Sequence, residues 1–234
     1  MKTSLKGLHP DLLASVVTHA MFGTMIDHPL LRDRNMELQW PDKASRVDRA
    51  NRCYEEKKTL LEAARVSNDW TTFIDLHERP YRFEALCDVR EILGWDFSDL
   101  WPVARYVWAD SENIFQNLDE WTNIWATTCH RKHLAMRPSD RVALRKMPDL
   151  ISVFRGVSKK KHVTGISWTT DRAQAEWFAR RYASTSPLVA SGLVRKSDVI
   201  AYFNERKENE IVVLPKDVIS IEIVKLSQTG VVKE

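Results

Sequence analysis

Glycine is scarce in this chain, with seven residues in 234, about 3% against a usual level near 7%. They stand at 7, 23, 94, 156, 165, 192 and 230, so no two fall within a few residues of each other. That spacing excludes the G-x-G-x-x-G turn of dinucleotide folds and the G-x-x-x-x-G-K-[ST] phosphate loop. Cysteine is scarcer still. Cys53, Cys87 and Cys129 are odd in number and widely spaced, which argues against a disulfide framework and for a reducing cytoplasm. Long apolar runs are missing too. Nothing approaches the ~18 residues of a membrane span, and Met1-Lys2-Thr3-Ser4-Leu5-Lys6 leads into no signal-type stretch. No membrane partner is expected.

Hydrophobic residues make up 44% of the chain and charged residues 29%, proportions of a globular protein rather than a disordered one. Nine tryptophans imply several large rings, either buried or stacked on a ligand. The net charge of +3 is unevenly spread. Residues 1–150 carry 21 basic and 23 acidic side chains, whereas residues 151–234 carry 14 and 9. A basic last third suits an anionic ligand, but the excess is too small to specify nucleic acid.

The first ~148 residues read as helices. Leu12, Leu13, Val16, Val17, Ala20 and Met21 form an apolar stripe at helical spacing. Residues 43–67 are rich in helix formers behind Pro41, and Pro80 opens a helix through Ile92 with Gly94 as its stop. Asp110 or Ser111 is placed to cap a helix through Phe115, Leu118, Trp121, Ile124 and Trp125. Ser139 or Asp140 would cap another that ends at Pro148. From Ile151 the pattern turns to strands: 151–154, 188–195, 211–214 and 218–226, the last with Ile219, Ile221 and Ile223 alternating as in a half-buried strand. One helix interrupts them, with Ala175, Phe178, Ala179 and Tyr182 on one face behind the capping pair Asp171 and Gln174. The expected fold class is α+β, with a helical region at 1–148 and a strand-rich core at 149–234. Because 86 residues bury only a modest share of their surface, the tryptophan-rich helices at 95–125 are expected to pack on that core.

Three segments of the strand-rich part carry chemistry. Val153-Phe154-Arg155-Gly156 ends an apolar strand in an arginine and a permissive glycine. Gly165-Ile166-Ser167-Trp168-Thr169-Thr170 is a strand ending in hydroxyl residues. Glu208-Asn209-Glu210-Ile211-Val212-Val213-Leu214-Pro215 leads two carboxylates into an apolar strand. Positions i and i+2 of an extended segment project to one side, so Glu208 and Glu210 are expected to face one cleft. In this order the segments resemble the R-S-E class of mono-ADP-ribosyltransferases, whose split antiparallel β-sheet uses NAD without a Rossmann fingerprint. The resemblance covers about residues 149–226, and Glu-x-Glu before I-V-V-L-P is its most specific part. Two departures are visible: only twelve positions separate Arg155 from Ser167, and Trp168 stands where the family has its second hydroxyl.

The resemblance implies a mono-ADP-ribosyltransferase that takes NAD as substrate, needs no metal, and modifies a macromolecule. The acceptor is protein arginine in the first instance, with a nucleic acid as the other candidate. A toxin-like or phage effector of this kind would work in a cytoplasm, including that of a host cell. Glu210 becomes the carboxylate that stabilises the oxocarbenium-like cation and bonds the ribose 2′-hydroxyl, and Glu208 the group that orients or deprotonates the acceptor. Arg155 falls to the pyrophosphate, for which a guanidinium fork is suited, and Gly156 is counted with it among the NAD-binding residues. Ser167 would hold Glu210 and, with Trp168 and Thr169, belong to the NAD-binding set; Trp168, Trp177 or Phe203 would stack on the nicotinamide or on the target, and Phe203 lies in the segment of the substrate-recognition turn. Trp168 and Trp177 are read first as core packing.

Other chemistries find less support. Cys129, His130 and His133 offer metal-ligating atoms at i, i+1 and i+4, but no second ligand cluster is legible, so they read as a helix-end group and no metal is expected. No G-x-S-x-G elbow supports a serine hydrolase. Lys159-Lys160-Lys161-His162 is a basic loop, usually just solvated. Two alternatives to transfer stay open: an NAD glycohydrolase, and a catalytically silent module that binds a nucleotide or nucleic acid.

Overall fold

The computed structural model describes residues 5–33, 43–111, 114–181 and 187–227. The chain divides into two compact units, 1–94 and 95–234. No helix among the described residues is long and apolar enough to cross a membrane.

The first unit opens with a short helix, α1 (Pro10–Ala14), followed by a three-stranded antiparallel sheet of β1 (Val16–His19), β2 (Gly23–His28) and β3 (Leu31–Asp33). This corrects the expected helix through Met21. Ser15 ends α1, the β-branched run Val16-Val17-Thr18 extends, and Gly23 at φ +68° allows the turn into β2. The long α2 (Lys43–Val66) follows. Asn68 is left-handed at φ +56°, and the Asp69 carboxylate then caps α3 (Trp70–Leu76) by accepting from Thr72 N at 3.1 Å. A 3-10 turn at Arg79–Tyr81 carries Pro80 into α4 (Arg82–Leu93), which stops at Gly94, φ +75°. Leu8, Leu12, Ile26, Leu30, Val47, Ala50 and Tyr54 form one core of this unit.

In the second unit, α5 (Leu100–Asp110), α6 (Leu118–Ala126) and α7 (Pro138–Lys146) precede β4 (Leu150–Val157), β5 (Ser167–Thr169), α8 (Arg172–Arg180), β6 (Leu188–Arg195), β7 (Ala201–Phe203), β8 (Glu210–Val212) and β9 (Val218–Lys225). Asp110 therefore closes α5 instead of capping the next helix. The strands form a six-stranded sheet, entirely antiparallel, in the order β7-β8-β5-β4-β6-β9. The architecture is α+β with two small antiparallel sheets, and residues 95–148 belong to the same compact unit as the strand-rich segment.

Two packings position the site. The helix α8 presses on β4 where Gly156 has no side chain: a Cβ there would lie 1.8 Å from Ala175 O. Its N-cap forms as expected, with Asp171 accepting from Ala173 N at 2.8 Å, whereas Asp171 N donates to Thr169 Oγ1 at 3.0 Å instead of to Gln174. Tyr182, expected on the same helical face, lies outside the described residues. The second packing is aromatic. Trp101, Trp108, Trp121 and Trp125 are fully buried, with Trp108 edge-on to Trp121 and Trp125 at 5.0 and 5.5 Å between centroids. Trp125 meets the Phe203 ring of β7 at 6.1 Å, so α5 and α6 do pack on this end of the sheet. At the opposite edge, β9 differs from expectation. Ile219, Ile221 and Ile223 are each about 40% exposed, because among the described residues β9 pairs only with β6, and Ser220 at φ +55° disturbs its pleat.

Candidate active site

Glu210 is the first residue of β8, the strand between β7 and β5. Register sets it opposite Thr169 on one side and Phe203 on the other, so the three form a row across the sheet. Ser167, two residues before Thr169, reaches diagonally and donates its Oγ–H to Glu210 Oε1 at 2.5 Å. From α5, Trp108 donates its indole N–H to Glu210 Oε2 at 3.1 Å. The carboxylate is buried, and burial pushes its pKa up. The bonds from Ser167 and Trp108 work against that rise, and the charge of Glu208 adds to it. Glu210 is thus a desolvated carboxylate with a donor on each oxygen.

Glu208 comes to the same recess by a route that alternation does not supply. Asn209 between the two glutamates is left-handed at φ +47°, so the segment is not extended there. Tyr202 OH donates to Asn209 Oδ1 at 2.8 Å and Asn209 N donates to Asn204 Oδ1 at 3.2 Å, which secures the unusual conformation. The Glu208 carbonyl accepts from Thr169 Oγ1 at 2.7 Å, and its carboxylate faces Arg206 Nε at 3.4 Å. Glu208, Glu210, Phe203, Arg105, Glu205 and Arg206 line one recess together with Ala109. Its free volume is about 10 Å³, room for about one water. Arg105 and Arg137 both bond to Glu205, and the Arg105 guanidinium lies 5.8 Å over the Phe203 ring.

Arg155 sits one step back. Its Nε donates to His162 O at 3.0 Å and its Nη1 to the carbonyl of Ser167, so the guanidinium ties the β4–β5 loop to the residue that holds Glu210. Gly165 makes room for it: a Cβ there would stand 2.2 Å from Arg155 Nη2. Burial lowers the Arg155 pKa to about 10, with Glu210 opposing. Trp168 is buried and donates to Gly165 O at 2.9 Å, and Gly156 serves the approach of α8. The structure therefore gathers Ser167, Thr169, Phe203, Glu208 and Glu210, links Arg155 to them through a backbone carbonyl, and gives Gly156 and Trp168 packing duties.

Comparison with protein-family models, with curated proteins and with solved structures finds no match to this chain. The site rests on its geometry.

Trp108, Arg105, Glu205 and Asn209 were not singled out in the sequence. Only the high tryptophan count hinted at the first of them. The expectation of no metal is corrected as well. Asp96, in the loop before α5, joins Cys129 and His130, and their ligand atoms all lie within 4.8 Å of one another. The missing second ligand is thus supplied from 33 residues away. His133 is not among the three: its Nδ1 is engaged with His130 O at 2.7 Å.

Proposed function

We propose that this protein is an NAD-dependent mono-ADP-ribosyltransferase whose working carboxylate is Glu210. The observation that carries the reading is the 2.5 Å bond from Ser167 Oγ to Glu210 Oε1, with Glu208 on the same recess. Breaking the bond between nicotinamide and ribose leaves positive charge on the ribose. A fixed, desolvated carboxylate stabilises that charge without having to reorganise. Ser167 and Trp108 fix the rotamer of Glu210, and this reading assigns the acceptor's nucleophile to Glu208 on the same recess.

A recess of about 10 Å³ does not enclose a dinucleotide. On this reading only the scissile ribose meets Glu210, and the rest of NAD lies outside the recess. The first-choice acceptor is a protein guanidinium, oriented and relieved of its proton by Glu208. A nucleic-acid acceptor is the second reading.

Purified protein incubated with NAD should release nicotinamide, and addition of a cell lysate should transfer labelled ADP-ribose to protein or nucleic acid. Release without label would indicate hydrolysis. Absence of both release and label would overturn the reading.

A further inference from the structure

We propose that Asp96, Cys129 and His130 bind a divalent cation of the zinc class, which staples the loop leading into α5 to the segment that follows α6. Cys129 Sγ lies 3.6 Å from Asp96 Oδ1, and His130 Nδ1 lies 4.0 Å from the same oxygen. A tetrahedral ion with bonds of ~2.0–2.3 Å sets its ligand atoms roughly 3.3–3.7 Å apart. The set is therefore within about an ångström of a closed site. The side chains that must move are free to do so, since Asp96 is 84% and His130 75% exposed.

The backbone that carries these ligands is already fixed. Trp95 O, next to Asp96, accepts from the indole of buried Trp101 at 3.2 Å, and the Cys129 S–H that also reaches it at 3.2 Å gives up that bond when the thiol ionises onto the metal. Lys132 Nζ holds the carbonyls of Trp125 and Thr127 at 2.7 and 2.8 Å, which anchors the chain entering Cys129. His133 does the same for the His130 carbonyl. Support of this kind outside the ligands is what orients a metal site.

Donor chemistry selects the ion. One thiolate, one imidazole and one carboxylate suit zinc or cobalt, whereas magnesium and calcium take oxygen throughout. On binding, the Cys129 S–H bond breaks and a sulfur–metal bond forms; the proton passes to buffer, and His130 binds as the neutral ring. Three protein ligands leave the fourth position to water or to a ligand brought by a partner.

Cobalt(II) titrated into the full-length protein tests the assignment. A thiolate-to-cobalt absorption band should grow to one equivalent, be abolished by zinc, and be unaffected by magnesium. Cys129→Ser should lose the band. Asp96→Asn and His130→Ala should weaken binding by about tenfold or more, while Cys53→Ser and Cys87→Ser should leave it unchanged. Zinc should also raise the melting temperature of the wild type but not that of Cys129→Ser. Absence of a band, its survival in Cys129→Ser, or full affinity in Asp96→Asn would overturn the site.

Discussion

Trp108 and Glu210 lie 102 positions apart in sequence, yet the indole N–H of the one donates to Oε2 of the other at 3.1 Å inside the second unit. The bond joins a helix to the strand that carries the proposed catalytic carboxylate. Its loss should show twice. Trp108→Phe keeps a ring against Trp121 and Trp125 but removes the donor, and a hydrogen bond to a charged group is worth about 1.5–3 kcal/mol. With one donor fewer, burial pushes the Glu210 pKa up further. The acid limb of the NAD-cleavage profile should then move to higher pH. A profile and a melting curve identical to wild type would show that the bond has no consequence.

Glu210→Gln separates stability from activity. The folded carboxyl holds its proton more tightly than the unfolded chain, whose value is near 4.5. The native state therefore binds more protons as pH rises from that value through the raised folded one. Stability falls across the window at ~1.4 kcal/mol for each unit of separation. A glutamine escapes this cost: its amide oxygen can accept from Trp108 while its N–H₂ meets the Ser167 hydroxyl, which accepts as readily as it donates. We expect Glu210→Gln to melt above the wild type at pH 8, with the gap closing below about pH 4.5, and to cleave no NAD. A lower melt at pH 8 would mean that the ionised carboxylate stabilises the fold, and retained cleavage would place the working group elsewhere.

The long α2 and the strands β4 and β6 were legible because composition and periodicity agree over many residues. Residues 12–21 misled because their apolar spacing fits a helix while Val16, Val17 and Thr18 favour extension; pairing with β2 decides the matter. For β9 the sequence pattern is real, but exposure depends on what covers the strand, and alternation does not encode that. Among the site residues, Ser167 and Glu210 were readable from local order along neighbouring strands. Glu208 and Glu210 line one recess, but a left-handed Asn209 brings them there and not the alternation of an extended segment. Trp108 and Asp96 escaped notice because their partners are distant in sequence, and no local pattern marks such a contact.

Arg155 holds two carbonyls at once, a task that needs a planar fork. The point charge of a lysine does not span both His162 O and Ser167 O. Arg155→Lys should therefore destabilise the protein by about 1–3 kcal/mol, read as a fall of roughly 2–4 °C in Tm for each kcal/mol. If the same guanidinium also meets the NAD pyrophosphate, affinity for NAD measured on the folded variant should drop by about 1.5–3 kcal/mol. An unchanged melt rules out the brace, and an unchanged calorimetric titration with NAD rules out the pyrophosphate contact.

Glu208 differs from Glu210 in what it touches. Its carboxylate faces Arg206 and the recess, whereas the donors from Ser167 and Trp108 both go to Glu210. A group that meets only the incoming nucleophile matters little when water takes the nucleophile's place. Glu208→Gln should accordingly keep a measurable rate of nicotinamide release while losing most transfer to a guanidinium acceptor. Its melting temperature should change little, because a partly exposed ion pair with Arg206 is worth at most about 1 kcal/mol. Nicotinamide release and acceptor labelling, followed in parallel on the variant and the wild type, decide the point. Equal loss of both activities would place Glu208 in the bond-breaking step beside Glu210. Full labelling of the natural target would remove guanidinium from the list of acceptors and move a nucleic-acid base to the front.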